Sequence, residues 1–188
     1  MYDDIFLRNR SCRRFDESVP VPDDALCRMA DAARLSASAG NLQRLRFLAV
    51  RDGAGCAAVF SALTFAAYLP AWDGPAPGER PTAYLVLTSD AVPDGNLMTD
   101  VGIAAEAILL CARMQGFAGC MFRSFSPPVL REALPDMRGE PLLVIALGFP
   151  AERAEVEERT DTVKYYRRSD GTHVVPKRPL SDVLAFHR

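Results

Sequence analysis

Four short segments carry the side chains best suited to chemistry. Arg8, Arg10, Arg13 and Arg14 place four positive charges in seven residues, around the hydroxyl of Ser11. Guanidinium pairs beside a hydroxyl make a good phosphate receptor through charge-assisted, often bidentate hydrogen bonds. The segment also reads as a solvated helix face near Asp3 and Asp4, with Arg10 and Arg13, or Arg10 and Arg14, on one side. Ser38-Ala39-Gly40-Asn41-Leu42-Gln43 is the second segment. Its small residues let backbone approach a ligand, while Asn41 and Gln43 supply donors and acceptors; an ordinary turn is the alternative. In Gly116-Phe117-Ala118-Gly119-Cys120, glycine lets a backbone N–H face a planar ring, or simply ends a helix. Lys177-Arg178, between Pro176 and Pro179, is a second cationic site or a surface charge pair.

The remaining inventory excludes much. His173 and His187 are the only histidines, and neither H-E-x-x-H nor a Cys/His zinc spacing occurs. Walker A, G-x-G-x-x-G and G-x-S-x-G patterns are absent. The cysteines, Cys12, Cys27, Cys56, Cys111 and Cys120, are odd in number and never form C-x-x-C. With no basic-then-apolar leader in Met1–Arg10, the thiols read as reduced and the protein as cytoplasmic. Such a chain performs no chemistry of its own, uses a thiol such as Cys120, or borrows chemistry from a cofactor.

These segments need elements to position them. Asp23 or Asp24 after Pro22 can cap a helix with Leu26, Met29, Ala30 and Ala33 on its apolar face. Ser36–Gly40 reads as a loop, and Leu45, Phe47 and Ala49 alternate as a strand. A helix is expected over Ala57–Ala67. The prolines and glycines of Tyr68–Pro81 exclude regular structure there. Strands follow at Ala83–Thr88, Cys120–Phe122 and Leu142–Leu147, with a helix from Ser126 past Pro127-Pro128. Asp100–Gln115, apolar on nearly every face, is expected as a central buried helix ended by Gly116. Glu152–Asp161 holds five acids against two arginines, and Lys164–Arg178 five basic residues against Asp170. This tail lacks a core pattern and is expected to wrap another surface. Four strands and five or six helices, interleaved, give a layered α/β domain.

The chain has 188 residues, 49% hydrophobic and 24% charged, with a formal charge of −2. A compact monomer of 20.6 kDa exposes about 8,900 Å², enough burial for one complete core without disulfides or metals. No linker or repeat divides it, so residues 1–188 read as a single domain. The pI near 5.7 argues against a nucleic-acid partner. The apolar run Val101–Ala112 is short of the ~20 residues of a membrane span. Of 22 basic residues only Lys164 and Lys177 are lysines, and the arginine forks suit phosphate and carboxylate.

Taken in order, the motifs resemble those of the FMN-dependent nitroreductase family over nearly the whole chain. Arg10-Ser11-Cys12-Arg13-Arg14-Phe15 resembles its R-S-x-R-x-F phosphate motif, and Ser38–Gln43 is similar to its P-S-A-x-N-x-Q-P-W loop. Asp100-Val101-Gly102 followed by Gly119-Cys120 resembles D-x-G…G-x-G-x-x. Ala146-Leu147-Gly148-Phe149-Pro150 is similar to A-x-G-[YF]-P, and Val175-Pro176-Lys177-Arg178-Pro179-Leu180 to V-P-K-R-x-L. Ala37 stands where the family has proline, Arg44-Leu45 replaces Pro-Trp, and Asn9 replaces a basic residue.

The resemblance implies an α/β (α+β) sandwich with a central mixed sheet flanked by helices. It implies a homodimer with FMN at the interface and the C-terminal tail across the partner. FMN phosphate then falls to Arg10, Ser11 and Arg13 with Lys177 or Arg178. Ser38, Asn41 and Gln43 contact ribityl or ring from the facing loop. The backbone at Gly119 or Cys120 faces flavin N5. The implied activity passes two electrons from NAD(P)H through the flavin to a small nitroaromatic- or quinone-like acceptor. No side chain acts as nucleophile or metal ligand, and Glu106 is a structural acid. Trp72 and the Tyr68–Pro81 loop wall the substrate cleft or pack at the surface. A non-catalytic flavin-binding protein is the alternative.

Overall fold

The computed structural model describes residues 5–187; Asp3 and Asp4 lie outside them. The most apolar runs form the centre of the sheet. β3 (Ala83–Ser89), buried at every position, pairs antiparallel with β5 (Glu140–Pro150) on one side and β2 (Arg46–Val50) on the other. β5 also takes β4 (Ala118–Phe122) and, at its end, β1 (Phe15–Asp16), both antiparallel. Successive side chains of a strand point to opposite faces, and the core divides accordingly. Leu85, Leu87, Ile145 and Leu147 pack with α2 (Asp23–Leu35) and α4 (Gly95–Met114). Tyr84, Val86, Val144 and Ala146 join Val59 of α3 (Gly53–Ala62) and Leu130 of α5 (Pro127–Ala133). The result is three layers, helix–sheet–helix.

Several boundaries differ from expectation for identifiable reasons. Neither Asp23 nor Asp24 caps α2: Pro22 holds that position, and both acids sit in the first turn, where they favour the helix dipole. α3 starts and stops earlier than Ala57–Ala67. Asp52 caps it by accepting from Gly55 N at 2.7 Å, and Leu63 leaves to bridge Phe125. α4 likewise starts early, where Asp94 accepts from Leu97 N. It ends as expected, with Gly116 at φ +85°.

The larger corrections concern the chain ends. α1 (Ile5–Arg8) stops before Arg10, so Arg10, Arg13 and Arg14 share no helix face. Their backbone is drawn instead to β4, β5 and the 68–81 loop. The acidic and basic halves of the tail build a second sheet of β6 (Ala154–Glu158), β8 (His173–Lys177) and β7 (Tyr166–Arg167). Its β6–β8 pairing is parallel, whereas every pairing in the main sheet is antiparallel. His173 and Val174 are buried in their own chain. No described helix is long and apolar enough to cross a membrane.

Candidate functional site

The arginine segment is an extended strap. Cys12 N donates to Gly119 O at 2.9 Å, Phe15 N to Glu79 O at 2.9 Å, and Ala151 N to Arg14 O at 3.0 Å. The Cys120 sulfur faces Met121 O at 3.6 Å, and the side chains of Ser11 and Arg13 are near enough to favour its thiolate. That thiol is buried, and burial is the main reason its pKa is raised. It is therefore a neutral thiol, unlike the exposed thiolates that act as nucleophiles. A Cβ on Gly119 would lie 2.5 Å from Ala146 O and 2.8 Å from Leu109, so strand packing itself requires glycine there.

Around Arg13 the structure gathers residues far apart in sequence. The Arg13 guanidinium lies 5.0 Å from the Tyr165 ring centroid, and its Nη1 is 3.4 Å from His173 Nε2. Glu152, whose side chain is 3% exposed, accepts from Arg13 N and Arg14 N and lies 2.7 Å from Arg167 Nη2. The Arg167 contact is a Coulombic approach rather than an aligned hydrogen bond, since neither Glu152 Oε2 nor the Arg167 nitrogens find hydrogen-bond partners. Arg14 and Arg167 also stack on Trp72, at 5.8 and 4.8 Å. Tyr68 meets Tyr165 edge-on at 5.0 Å. His173 is fully enclosed, and burial above all pulls its pKa down to about 4; the imidazole is neutral.

The second segment is held open by strain and by α4. Gly40, Asn41 and Gln43 all have positive φ (58°, 54° and 50°). For a non-glycine residue this is uncommon, and such strain clusters at functional sites. Two tethers fix the loop. Ala39 N donates to Asp100 Oδ1 at 2.8 Å, and Arg44 binds Asp94 through Nη1 and Nη2 at 2.9 and 3.2 Å. Arg44 thus ties the loop to the start of α4 where proline would have stiffened it. The Asp94 carboxyl is held below its usual range, first by the Arg44 hydrogen bond. Asn41 and Gln43 are exposed, and Ser38, whose Oγ accepts from Gln43 N at 3.3 Å, is half-buried. A cavity of about 130 Å³ opens beneath, lined by Ser38, Gln43, Arg44 and Asp100, and Asp100 Oδ2 is buried without a partner.

The predicted residues therefore form two groups. Ser11, Arg13, Gly119 and Cys120 lie together. Arg10 is close in sequence but turns its Nη2 to Phe6 O at 2.9 Å, with Nε buried and unpartnered. Ser38, Asn41 and Gln43 lie together elsewhere. α4 measures the distance between the groups: Asp100 meets the loop, Glu106 accepts from Asn9 at 2.9 Å, and Arg113 acts electrostatically on Cys12. At 1.5 Å per residue these stations stand about 9 and 20 Å from Asp100 along the axis. Lys177 ends β8, about 13 Å along the strand from His173, and Arg178 follows; both are exposed. Glu152, Tyr165 and Arg167 were not legible as site residues. Glu152 stands in an acidic run with the look of a solvated surface, and only its burial distinguishes it.

A family model described as "Nitroreductase family" matches residues 7–72, the stretch holding both the arginine strap and the strained loop. An Archaeoglobus fulgidus protein named "Putative NADH dehydrogenase/NAD(P)H nitroreductase" is 28% identical over 166 residues, covering 84% of this chain and 89% of its own. The FMN-dependent nitroreductase of Clostridium difficile R20291 superposes with a TM-score of 0.65 at 20% identity, over 97% of this chain and 98% of that one. A Desulfovibrio desulfuricans structure in complex with FMN gives 0.66 at 18% identity, over 96% and 93%.

Proposed function

We propose that this chain, which has the nitroreductase fold and matches the family's sequence model over residues 7–72, is an FMN-dependent oxidoreductase. It moves two electrons from NAD(P)H to a small organic acceptor of nitroaromatic or quinone type. Bound FMN supplies the two-electron carrier; the protein supplies binding, orientation and electrostatics. The observation that carries this reading is the state of the cations. Arg14, Arg28, Arg34, Arg44 and Arg46 all rest on carboxylates. Arg10, Arg13, Lys177 and Arg178 make no ion pair among the described residues. Of these, Arg10 and Arg13 flank the Ser11 hydroxyl, and guanidinium forks left without carboxylates beside a hydroxyl fit a phosphate dianion.

In this reading Arg10, Ser11 and Arg13, with Lys177 or Arg178, hold the phosphate. Ser38, Asn41 and Gln43 orient the ribityl chain and ring, and the Gly119–Cys120 backbone lies against the N5 side. Arg13 is kept in place by Tyr165 and by Glu152 on its own amide. The neutral Cys120 and His173 neither add charge nor compete as nucleophiles.

We further assign the site to two chains. The two groups meet one α4 at different stations, the loop at Asp100 and the start of the strap at Glu106, about 9 Å further along the axis, and a facing subunit can bring its own loop to the strap. The chain exposes 10,781 Å², about 1,900 Å² more than a compact monomer of its mass. Phe6, Leu7, Ile103 and Met114 are exposed, as are Leu180, Val183, Leu184 and Phe186 of the tail. A second copy of the chain would cover such residues where they adjoin, as on α1 and α4, which pack together. Purified protein should be yellow, bleach on anaerobic addition of NADH or NADPH, and scatter light as twice the chain mass. Colourless protein that takes up no added FMN refutes the assignment, and a stable flavin-loaded monomer refutes the shared site. Flavin that binds but does not bleach favours the non-catalytic alternative.

A further inference from the structure

A second cavity, of about 270 Å³, opens on the other face of the sheet. Alternation along β3 separates it from the strained loop: Leu85 faces α2 and α4, whereas the preceding Tyr84 faces α3 and lines this cavity. Tyr84 is completely buried, yet its hydroxyl has no hydrogen-bond partner. Buried polar groups are nearly always satisfied, so an orphan of this kind asks for a ligand or an ordered water. Arg80 shares the cavity. Its guanidinium lies 4.4 Å from the Phe60 ring centroid, its Nε is buried without a partner, and no carboxylate among the described residues pairs with it.

The other polar groups at the wall have partners, and Glu17, hydrogen-bonded through one oxygen, keeps its negative charge there opposite the Arg80 guanidinium. Glu17 Oε2 accepts from Gly78 N at 2.5 Å, Arg51 pairs with Asp23 at 2.5 Å, and the Cys56 sulfur faces the carbonyls of Val50 and Thr82. Burial raises the Cys56 thiol to about 11 and keeps Tyr84 a phenol, so both stay neutral donors. What remains is one guanidinium fork and one phenolic O–H beside an apolar wall of Phe60, Pro20, Ala57 and Pro81. Two donors beside an apolar surface complement a carboxylate on a flat ring. A cation would meet Arg80, and a purely apolar guest would leave the phenol unmet. Since a 150 Å³ apolar cavity holds benzene, 270 Å³ has room for a ring and its carboxylate.

We propose that this cavity is a binding site for a small aromatic monocarboxylate, held by Arg80 and Tyr84 against Phe60, on the sheet face opposite the strained loop. The site is independent of the flavin assignment. Calorimetric titration of the full chain with sodium benzoate should show one saturable site per chain, unchanged by added FMN or by Arg13→Ala. Tyr84→Phe and Arg80→Gln should each weaken binding at least tenfold, and benzylamine should not compete. In the unmodified protein, benzoate should slow maleimide labelling of Cys56 several-fold and leave the exposed Cys27 unaffected, a readout that needs no variant to fold. Absence of saturable binding up to about 10 mM, about −2.7 kcal/mol on the 1 M scale, overturns the proposal. So does binding indifferent to both substitutions, or binding abolished by FMN or by Arg13→Ala.

Discussion

Replacing Glu152 with alanine tests how the arginine strap is held. One oxygen of this carboxylate serves the amides of Arg13 and Arg14, and the other lies 2.7 Å from Arg167 Nη2, whose side chain is 15% exposed. Removing one member of a buried ion pair costs about 3–5 kcal/mol, because the other is left uncompensated. Arg167 retains some solvent and its stacking on Trp72, and its contact with Glu152 is poorly aligned, which argues for about 3 kcal/mol. For a chain of this length that is a fall in Tm of roughly 6–12 °C. Glu152→Gln keeps an acceptor for the two amides and loses only the charge, so about half the effect should remain. Thermal and urea unfolding of both variants, with amide exchange at residues 12–15, measures this directly. A Glu152→Ala protein melting within about 2 °C of the parent, with unaltered exchange, would refute the view that this acid anchors the strap.

Arg13→Ala should weaken FMN binding by about 1.5–3 kcal/mol, the range for a hydrogen bond to a charged group; fluorescence titration of the apoprotein decides it, and unchanged affinity removes Arg13 from the phosphate site. Gly119→Ala must push against Ala146 O and Leu109, and overpacking of this kind costs about 1–3 kcal/mol, visible as a lowered urea midpoint. His173 stays neutral in the fold until pH falls to about 4, whereas the unfolded residue gains its proton near 6.5. Stability should therefore be full above pH 6.5, decline between 6.5 and 4, and lose about 3 kcal/mol to this residue across that window. His173→Asn should flatten that part of the stability–pH curve; an identical slope would show that other groups set it.

Which parts of this molecule its own sequence determined follows from where the signal is local. β3 and β5 are continuous apolar runs, α4 is apolar on nearly every face, and the prolines of 68–81 forbid regular structure; each property is written in consecutive residues. The Arg10–Phe15 and Ser38–Gln43 segments were likewise visible as charge density and small polar clusters. Their conformations were not. Arg10–Arg14 has the spacing of a helix face, but Gly119 O takes the amide of Cys12 and Glu152 those of Arg13 and Arg14, and an amide satisfied from outside has no need of a helical turn. The tail has no core pattern of its own and reads as a segment that wraps another surface, because β6, β7 and β8 are short and each is stable only in the register the others supply. Glu152 meets Arg13 across 139 positions, and Tyr84 turns away from the loop because β3 is registered on β5. Periodicity records which face of an element is buried. Only the tertiary structure decides what that face is buried against, because strand register and layer packing, not neighbours in the chain, bring those groups together.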